Sequence, residues 1–448
     1  MNKLFGTDGI RGLAGNFPLD SSTVSVIGSS IARLLNESLN RQPRIIVGRD
    51  TRESGASIEE AFCRGAMSFR AECLSAGVIT TPGVAFLTGH SGFDAGVVIS
   101  ASHNPYEDNG IKIFMPNGKK ASREIENRIE RDVEAGSSAA GSSPVRDSNS
   151  VSPEAFQREY VDHIWKSFQN LNLNGKKLVI DCANGAASPI APDLFARTGA
   201  EVVAINFSPD GRNINHNCGS LHLDGLKAKV LEHTADAGIA FDGDADRALF
   251  VDESGAIVDG DATMWALGGH LLDHGKLKNR TVVATVMSNI GLELAFQSRG
   301  VKLLRAAVGD KYVLEELLGS GSEIGGEQSG HIIFPERSLV GDGMVTALMM
   351  LETMSERRAA FSQLAEGFTA FPQILLNVRV KEKRPFEQVS EILKESSAVE
   401  KELDGSGRLL LRYSGTENLA RIMIEGPDHA TISEQARRLA TVIERSLS

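Results

Sequence analysis

The chain has 448 residues, a formal net charge of −11 and a hydrophobic fraction of 41%, which suits about three domains of roughly 150 residues each. The acidic balance and the lack of a strongly basic block argue against nucleic acid as the main partner, whereas a few arginines and helix N-termini can still hold a small anionic substrate. No apolar run reaches the roughly 18 residues that span a membrane, the N-terminus lacks the apolar core of a signal peptide, and the cysteines form no CxxC pair, so we expect a reducing, cytoplasmic setting.

The first part of the chain alternates helical and strand patterns. Apolar residues recur at helical spacing over 24–34 and 58–69, and short apolar strands are predicted at 45–47 and 97–99. Such alternation favours a sheet with helices on its faces. Residues 136–153 are rich in serine, glycine and proline and cannot bury a core, so we predict a linker there.

The strand pattern then restarts and changes character near the end of the chain. We predict strands at 177–181, 201–206, 238–241 and 281–286, and then at 374–380, 408–412 and 419–425 between helices near 385–395 and 429–446. The predicted fold class is α/β: three similar α/β domains with mixed sheets and a smaller C-terminal α+β domain. The predicted domains span 1–150, 151–255, 256–370 and 371–448.

An acidic turn, DGDADR, directly follows the apolar strand at 238–241. Its three carboxylates, from Asp242, Asp244 and Asp246, can converge on one cation, and oxygen-only ligands indicate Mg²⁺ or Ca²⁺ rather than zinc. An EF-hand is excluded because its sixth position needs glycine and holds Arg247. A solvated acidic turn is the alternative, but burying like charges without a counter-ion is costly.

The segment ISASHNPYEDNGIK places a hydroxyl, an imidazole and a cation in one predicted loop after another apolar strand. Ser102 beside His103, with Lys112 further on, suits covalent catalysis by a serine. The order does not match a G-x-S-x-G elbow, which disfavours an acyl-transfer hydrolase. Taken alone, the loop fits a capping turn equally well.

Two further glycine-containing loops offer polar groups. GGEQSGH supplies Glu327, Ser329 and His331, a mixed set of donors and acceptors that suits sugar hydroxyls. RYSGTENLAR supplies a guanidinium, hydroxyls and a glycine turn that could cradle a phosphate. In isolation each fits an ordinary turn. Near the N-terminus, FGTDGIRG adds Arg11 beside flexible glycines, and VGRDTR at a strand end is predicted to be structural.

Together these loops are recognisable. SASHNP, DGDADR, GGEQSGH and RYSGTE occur in this order and resemble the α-D-phosphohexomutases over essentially the whole chain. The resemblance implies four domains around a central cleft, with one functional loop in each. The pair Glu327-Gln328 favours the branch of the family that acts on glucosamine phosphates. Asn418 stands where relatives commonly have proline, which should alter the stiffness of that loop more than its contacts.

The resemblance also implies roles for individual residues. Ser102 would carry the phosphoryl group, and one Mg²⁺ would be bound by Asp242, Asp244, Asp246 and a phosphoserine oxygen on Ser102. The residues expected around the transferring group are Arg11, His103, Lys112, Arg247 and His331. Those expected to bind the sugar and its second phosphate are Glu327, Ser329, Arg412, Ser414, Gly415, Thr416 and Arg421.

The implied activity is intramolecular phosphoryl transfer between glucosamine 6-phosphate and glucosamine 1-phosphate, on the route to UDP-N-acetylglucosamine. It would run through a phosphoserine enzyme and a sugar bisphosphate that also serves as activator. Two alternatives stay open: a sister mutase acting on mannose or glucose phosphates, and a metal-dependent sugar phosphatase. Either Lys112 or His331 could be the general base. The expected partner is a small phosphosugar, without nucleic acid or membrane, and a homodimer is compatible with the sequence.

Overall fold

The computed structural model describes residues 3–6, 8–136, 151–414 and 418–447. Most of the predicted linker, at 137–150, and Gly415 and Thr416 of the predicted phosphate loop lie outside the described residues. The chain divides into two compact units: Met1–Met287 with Leu303–Glu366, and Ser288–Lys302 with Gly367–Ser448. No helix in the described part of the chain is both long and apolar enough to cross a membrane.

The first sheet has six strands in the order β1-β2-β6-β5-β3-β4. Its strands are β1 Phe5–Gly6, β2 Gly9–Leu13, β3 Arg44–Arg49, β4 Glu72–Val78, β5 Ala95–Ile99 and β6 Asp108–Phe114. The accompanying helices are α1 Ser21–Ser38, α2 Gly55–Ser68, α3 Thr81–His90 and α4 Arg123–Glu134. β3 runs parallel to β4 and β5, whereas β6 runs antiparallel to β5, so the sheet is mixed, as predicted.

A second, five-stranded sheet has the order β11-β10-β9-β7-β8. Its strands are β7 Lys177–Asp181, β8 Glu201–Ile205, β9 Ala237–Phe241, β10 Ala248–Asp252 and β11 Ile257–Val258, and its helices are α5 Pro153–Lys166, α6 Ala191–Ala196 and α7 Asp224–His233. β9 is buried throughout and pairs antiparallel with β10. The acidic turn therefore forms the tip of a buried hairpin.

The third sheet has four strands in the order β13-β12-β14-β15. Its strands are β12 Thr281–Thr285, β13 Lys302–Ala306, β14 Gly325–Gly326 and β15 Ile332–Ile333; the helices of this stretch are α8 Gly260–Asp273, α9 Ile290–Ser298, α10 Asp310–Ser320 and α11 Gly343–Arg357. The glutamate-containing loop joins the short antiparallel strands β14 and β15.

The second compact unit contains a small antiparallel sheet in the order β16-β18-β17. Its strands are β16 Gln373–Arg379, β17 Arg408–Tyr413 and β18 Leu419–Glu425, and its long helices are α12 Ser390–Leu403 and α13 His429–Leu447. The short 3₁₀ helix Phe386–Gln388 lies in this unit, whereas those at Gly219–Leu221 and Phe361–Ala365 lie in the first. Side chains such as Ile392, Ile422 and Leu439 form the hydrophobic core of the second unit. These features confirm the predicted fold class, with a smaller α+β part at the C-terminus.

Candidate active site

The serine loop follows β5 and is held by its backbone. Ser102 is 1% exposed and has φ of +52°, in the left-handed region that non-glycine residues seldom adopt. Its N–H donates to the Ser100 hydroxyl at 2.9 Å. Its carbonyl accepts from Arg52 and from Asn215, each at 2.9 Å. These bonds hold the strained backbone, and they fix where the Ser102 hydroxyl points.

Arg52 positions this loop although it contacts only backbone oxygens there. Its guanidinium is fully buried and donates to the carbonyls of Ser102, Asn104, Pro105 and Asp108. Asp50 supports it, with 2.9 Å between Arg52 Nε and Asp50 Oδ2, and also accepts from the Ser100 hydroxyl at 2.6 Å. Burial raises the pKa of Asp50. The VGRDTR motif thus shapes the loop that carries Ser102.

The three aspartates of the acidic turn lie together and face Ser102. All are buried, with one oxygen of each within 4.8 Å of the others. Ser102 Oγ donates to Asp242 Oδ2 at 2.5 Å, and Thr81 Oγ1 donates to Asp244 Oδ2 at 2.5 Å. Among the described residues, Asp244 Oδ1 and Asp246 Oδ1 have no hydrogen-bond partner although both atoms are buried. Such acceptor-only oxygens fit a hard divalent cation.

The repulsion among these carboxylates affects the pKa of Asp242. Burial raises the pKa of Asp242 well above its usual range, and the carboxylates of Asp246 and Asp244 raise it further. Three anions this close repel one another unless a positive charge compensates them. A bound cation would relieve this repulsion.

Lys112 supplies part of that positive charge. Its Nζ lies 2.9 Å from Asp244 Oδ2, 3.2 Å from Asp246 Oδ2 and 3.1 Å from Asp8 Oδ2. Burial works to lower the pKa of Lys112, but these carboxylates outweigh it and raise that pKa well above the usual value. The prediction that Lys112 shares the serine loop was wrong: it lies on β6, opposite Val98 of β5, because the chain reverses after Pro105 and pairs back onto β5.

Asp8 and Lys120 were missed by the sequence analysis. Asp8 accepts from Arg11 Nη2 at 2.5 Å and from Lys120 Nζ, and Lys120 also donates to Asp310 Oδ2 at 2.5 Å. Burial works to raise the pKa of Asp8, but Lys112, Lys120 and Arg11 hold it far below the usual range. The signal in the sequence was an aspartate three residues before Arg11, but its other partners, Lys112 and Lys120, lie more than a hundred residues away.

The remaining predicted residues of the first unit gather around the same cluster. His103 Nδ1 lies 3.4 Å from Ser102 Oγ; burial lowers the pKa of His103, and Arg247 and Arg11 lower it further. Arg247 Nε lies 3.7 Å from Asp246 Oδ1. The imidazole of His103 is therefore neutral near pH 7, beside a serine hydroxyl and two guanidinium groups.

The glutamate-containing loop meets the acidic turn through His331. His331 Nδ1 lies 3.5 Å from Asp246 Oδ1, and its Nε2 accepts from the Gly341 N–H at 3.2 Å. Glu327 Oε1 accepts from the Gly309 N–H at 3.1 Å, and its Oε2 accepts from the Ser329 hydroxyl at 3.2 Å. This loop thus holds the Glu327 carboxylate in one orientation and places the His331 imidazole beside Asp246.

The described phosphate-loop residues lie in the second compact unit, whereas all other predicted site residues lie in the first. Arg412 and Arg421 are paired in register across β17 and β18. The Ser414 N–H donates to the Leu419 carbonyl at 2.9 Å, and the Ser414 carbonyl accepts from Lys383 Nζ at 2.8 Å. Arg412 and Arg421 therefore occupy paired positions on neighbouring strands, in the motif that predicted a phosphate site.

Comparison with known proteins finds the same family along the chain. Models of phosphoglucomutase/phosphomannomutase alpha/beta/alpha domains I, II and III match residues 2–140, 158–255 and 259–371, and the model of the C-terminal domain matches 375–442. The phosphoglucosamine mutase of Solibacter usitatus is 47% identical over 446 residues, which is 99% of this chain and 99% of that protein. That of Caldanaerobacter subterraneus is 46% identical, covering 100% of both.

Solved structures agree. A phosphoglucomutase/phosphomannomutase family protein from Burkholderia thailandensis superposes with a TM-score of 0.79 at 25% identity, covering 100% of this chain and 98% of that one. An Aspergillus fumigatus N-acetylphosphoglucosamine mutase, solved with GlcNAc-6P and magnesium, shares the fold with a TM-score of 0.67 at 17% identity, over 99% of this chain and 96% of that one. With four domain models matched in order and relatives aligned from end to end, the chain belongs to the phosphoglucomutase/phosphomannomutase family.

Proposed function

We propose that this chain is the mutase that interconverts glucosamine 6-phosphate and glucosamine 1-phosphate. The observation that carries the proposal is the buried Ser102 hydroxyl, 2.5 Å from a carboxylate of the three-aspartate cluster. A hydroxyl held against a cation site can accept and return a phosphoryl group. The choice of glucosamine rests on full-length relatives, 44–47% identical, that bear that activity in their names.

Mg²⁺ fits the cluster of Asp242, Asp244 and Asp246, because its oxygens include buried ones without a hydrogen-bond partner in the described structure. A phosphoryl oxygen on Ser102 would complete the ligand set. When bound, the ion supplies charge stabilisation for the phosphoryl group in transfer. Lys112 holds two of the carboxylates in place and adds its own positive charge.

The reaction exchanges one phosphate ester for another in two half-steps. The bond between phosphorus and Ser102 Oγ breaks as a sugar hydroxyl oxygen bonds to phosphorus; that hydroxyl gives its proton to a base, and Ser102 Oγ takes one up. Of the two candidate bases we propose His331, because three carboxylates keep Lys112 in its charged form. The resulting bisphosphate turns over and returns its other phosphoryl group to Ser102. Arg11 and Arg247 stabilise negative charge on the group in transfer, and neutral His103 lies beside the serine oxygen.

The other roles that we propose are those that the family resemblance implies. Glu327 and Ser329 bind the sugar; Arg412, Ser414, Gly415, Thr416 and Arg421 bind the phosphate that is not transferred. One functional loop falls in each of the domains 1–150, 151–255, 256–370 and 371–448. A sugar bisphosphate acts as activator by phosphorylating Ser102, and the product feeds UDP-N-acetylglucosamine synthesis. We expect a cytoplasmic location, and a homodimer is compatible with the sequence.

The test is a comparison of Ser102→Ala with Ser57→Ala, a change to an exposed hydroxyl on α2. We expect Ser102→Ala to lower isomerisation by several powers of ten, each about 1.4 kcal/mol of barrier, and to remove the mass of one phosphate group from the intact protein. Ser57→Ala should change neither. Near-normal turnover of the Ser102 variant, or phosphate mapped to Ser100, would contradict the assignment.

The same assay separates the alternatives. A sugar phosphatase would release free phosphate at the rate at which substrate disappears, whereas a mutase conserves it in the two sugar phosphates. A sister mutase would show a higher kcat/KM for the glucose or mannose pair than for the glucosamine pair. Each outcome replaces the proposed substrate or reaction with a defined one.

A further inference from the structure

A second group of metal-ligating side chains lies where helices α8 and α11 end. His270 belongs to the last turn of α8, His274 caps that helix, and Glu356 belongs to the last turn of α11. One nitrogen or oxygen atom of each lies within 4.8 Å of the others. None of the three belongs to the proposed active site, and the mechanism does not use them.

The distances suit one small ion. His270 Nε2 lies 3.3 Å and His274 Nε2 lies 3.7 Å from the same oxygen, Glu356 Oε2. Ligands at about 2.0–2.2 Å around a tetrahedral zinc ion are separated by roughly 3.3 Å. Without an ion, at least one ring must carry its proton on Nε2, because two nitrogen lone pairs cannot both face a carboxylate oxygen.

The two imidazoles differ in their hydrogen bonds and in their burial. The Nδ1 atom of His274 lies 2.9 Å from the His270 carbonyl, which places a proton on Nδ1 and directs Nε2 towards Glu356. The His270 side chain is 8% exposed, and its buried Nδ1 has no hydrogen-bond partner among the described residues. No contact in the described structure therefore fixes the ring proton of His270 on one nitrogen, and Nε2 is free to bind an ion.

The surroundings also favour a cation from solvent. The negative ends of two helices meet here, and a cation near a helix C-terminus is stabilised. The side chains of His274 and Glu356 are 46% and 51% exposed, which gives an ion a path in and leaves a coordination position for water.

We propose that His270, His274 and Glu356 form a second cation site, for Zn²⁺ or a similar first-row divalent ion, that joins the ends of α8 and α11. Two imidazoles and one carboxylate suit Zn²⁺, Co²⁺ or Ni²⁺ rather than Mg²⁺. The site binds the ion structurally and takes no part in phosphoryl transfer. Mg²⁺ and Zn²⁺ therefore occupy different places in this chain.

The experiment measures Zn²⁺ binding by calorimetry with Mg²⁺ in excess, so that the aspartate cluster is occupied. Wild type should bind one Zn²⁺ per chain. The variants His274→Ala and Glu356→Gln change exposed side chains, so they should fold, and each should weaken binding by about ten- to a hundredfold. The matched control is His233→Ala on α7, where a histidine lies near a single glutamate, Glu232.

Two further readouts separate this site from the proposed active site. Co²⁺ in wild type should give the intense visible absorption of a tetrahedral ion, lost in Glu356→Gln. Asp244→Asn should lose mutase activity but retain Zn²⁺ binding, whereas Glu356→Gln should do the reverse. Absence of Zn²⁺ binding in wild type under excess Mg²⁺, or equal affinity in His274→Ala, Glu356→Gln and wild type, would overturn the proposal.

Discussion

At the scale of single residues, Glu327 carries the choice of sugar in the proposed function. Both of its oxygens accept hydrogen bonds, from the Gly309 N–H and the Ser329 hydroxyl, so the carboxylate is held in one orientation. A 2-ammonium group on the sugar is a cation that such a carboxylate can bind, whereas glucose offers a neutral hydroxyl. Ordering the carboxylate before the substrate arrives lowers the entropic cost of that contact.

We therefore expect Glu327→Gln to lower kcat/KM for glucosamine 6-phosphate more than for glucose 6-phosphate. A charge-assisted hydrogen bond contributes about 1.5–3 kcal/mol, which corresponds to about a tenfold to hundredfold difference between the two sugars. Glu336→Gln, which changes an exposed glutamate, is the control and should leave both values unchanged. Equal losses on the two sugars in Glu327→Gln would show that Glu327 does not recognise the amine.

At the scale of elements, the backbones of the serine loop and the acidic turn are in direct contact at Gly243. A Cβ added there would lie 2.5 Å from the Ser102 carbonyl oxygen and 2.9 Å from Ile214 Cδ1. The Ser102 carbonyl cannot yield freely, because it also accepts from Arg52 and Asn215. The glycine lets the two loops approach closely enough for Ser102 to reach the aspartates.

We expect Gly243→Ala to separate these loops and lower kcat by at least about tenfold, with an overpacking cost of about 1–3 kcal/mol in the free energy of unfolding. Gly225→Ala on α7 is the matched control, because an added Cβ meets no described atom within 4 Å there. That change should leave kcat intact and stabilise the helix by about 0.4–1 kcal/mol. Wild-type activity and stability in Gly243→Ala would show that the close approach is unimportant.

The strands and turns also show which features of the structure can be predicted from the sequence. Hydrophobic runs are local signals, so the strand at 281–286 was predicted almost as the structure has it, Thr281–Thr285, and the polar turns after such strands located Ser102 and the aspartates. The strand Asp108–Phe114 was missed because polar residues hide its start. Asn215, which orders the serine loop, is more than a hundred residues from it in sequence, and no local pattern can indicate such a contact.

At the scale of the whole molecule, the chain places cation ligands of two kinds at separate positions. The aspartate cluster offers only oxygen and is buried, whereas the histidine cluster mixes nitrogen and oxygen and is partly exposed. Hard carboxylates suit Mg²⁺, and imidazoles suit Zn²⁺. A metal-free protein should therefore respond differently to the two ions, although a chelator removes both.

We expect EDTA to abolish mutase activity and Mg²⁺ alone to restore it. Loss of the Mg²⁺ charge that faces the transferring phosphoryl group should lower kcat by at least about a hundredfold. Lys112 cannot replace that charge, because it is already paired with Asp244 and Asp246. Mg²⁺ should also raise the melting temperature of wild type, since it relieves repulsion among buried anions, and Asp242→Asn should weaken that shift. Zn²⁺ should bind without restoring activity, because the site that it prefers is the histidine cluster at the ends of α8 and α11. Full activity in metal-free buffer would contradict the Mg²⁺ assignment, and full activity with Zn²⁺ alone would show that the aspartates do not discriminate between the ions.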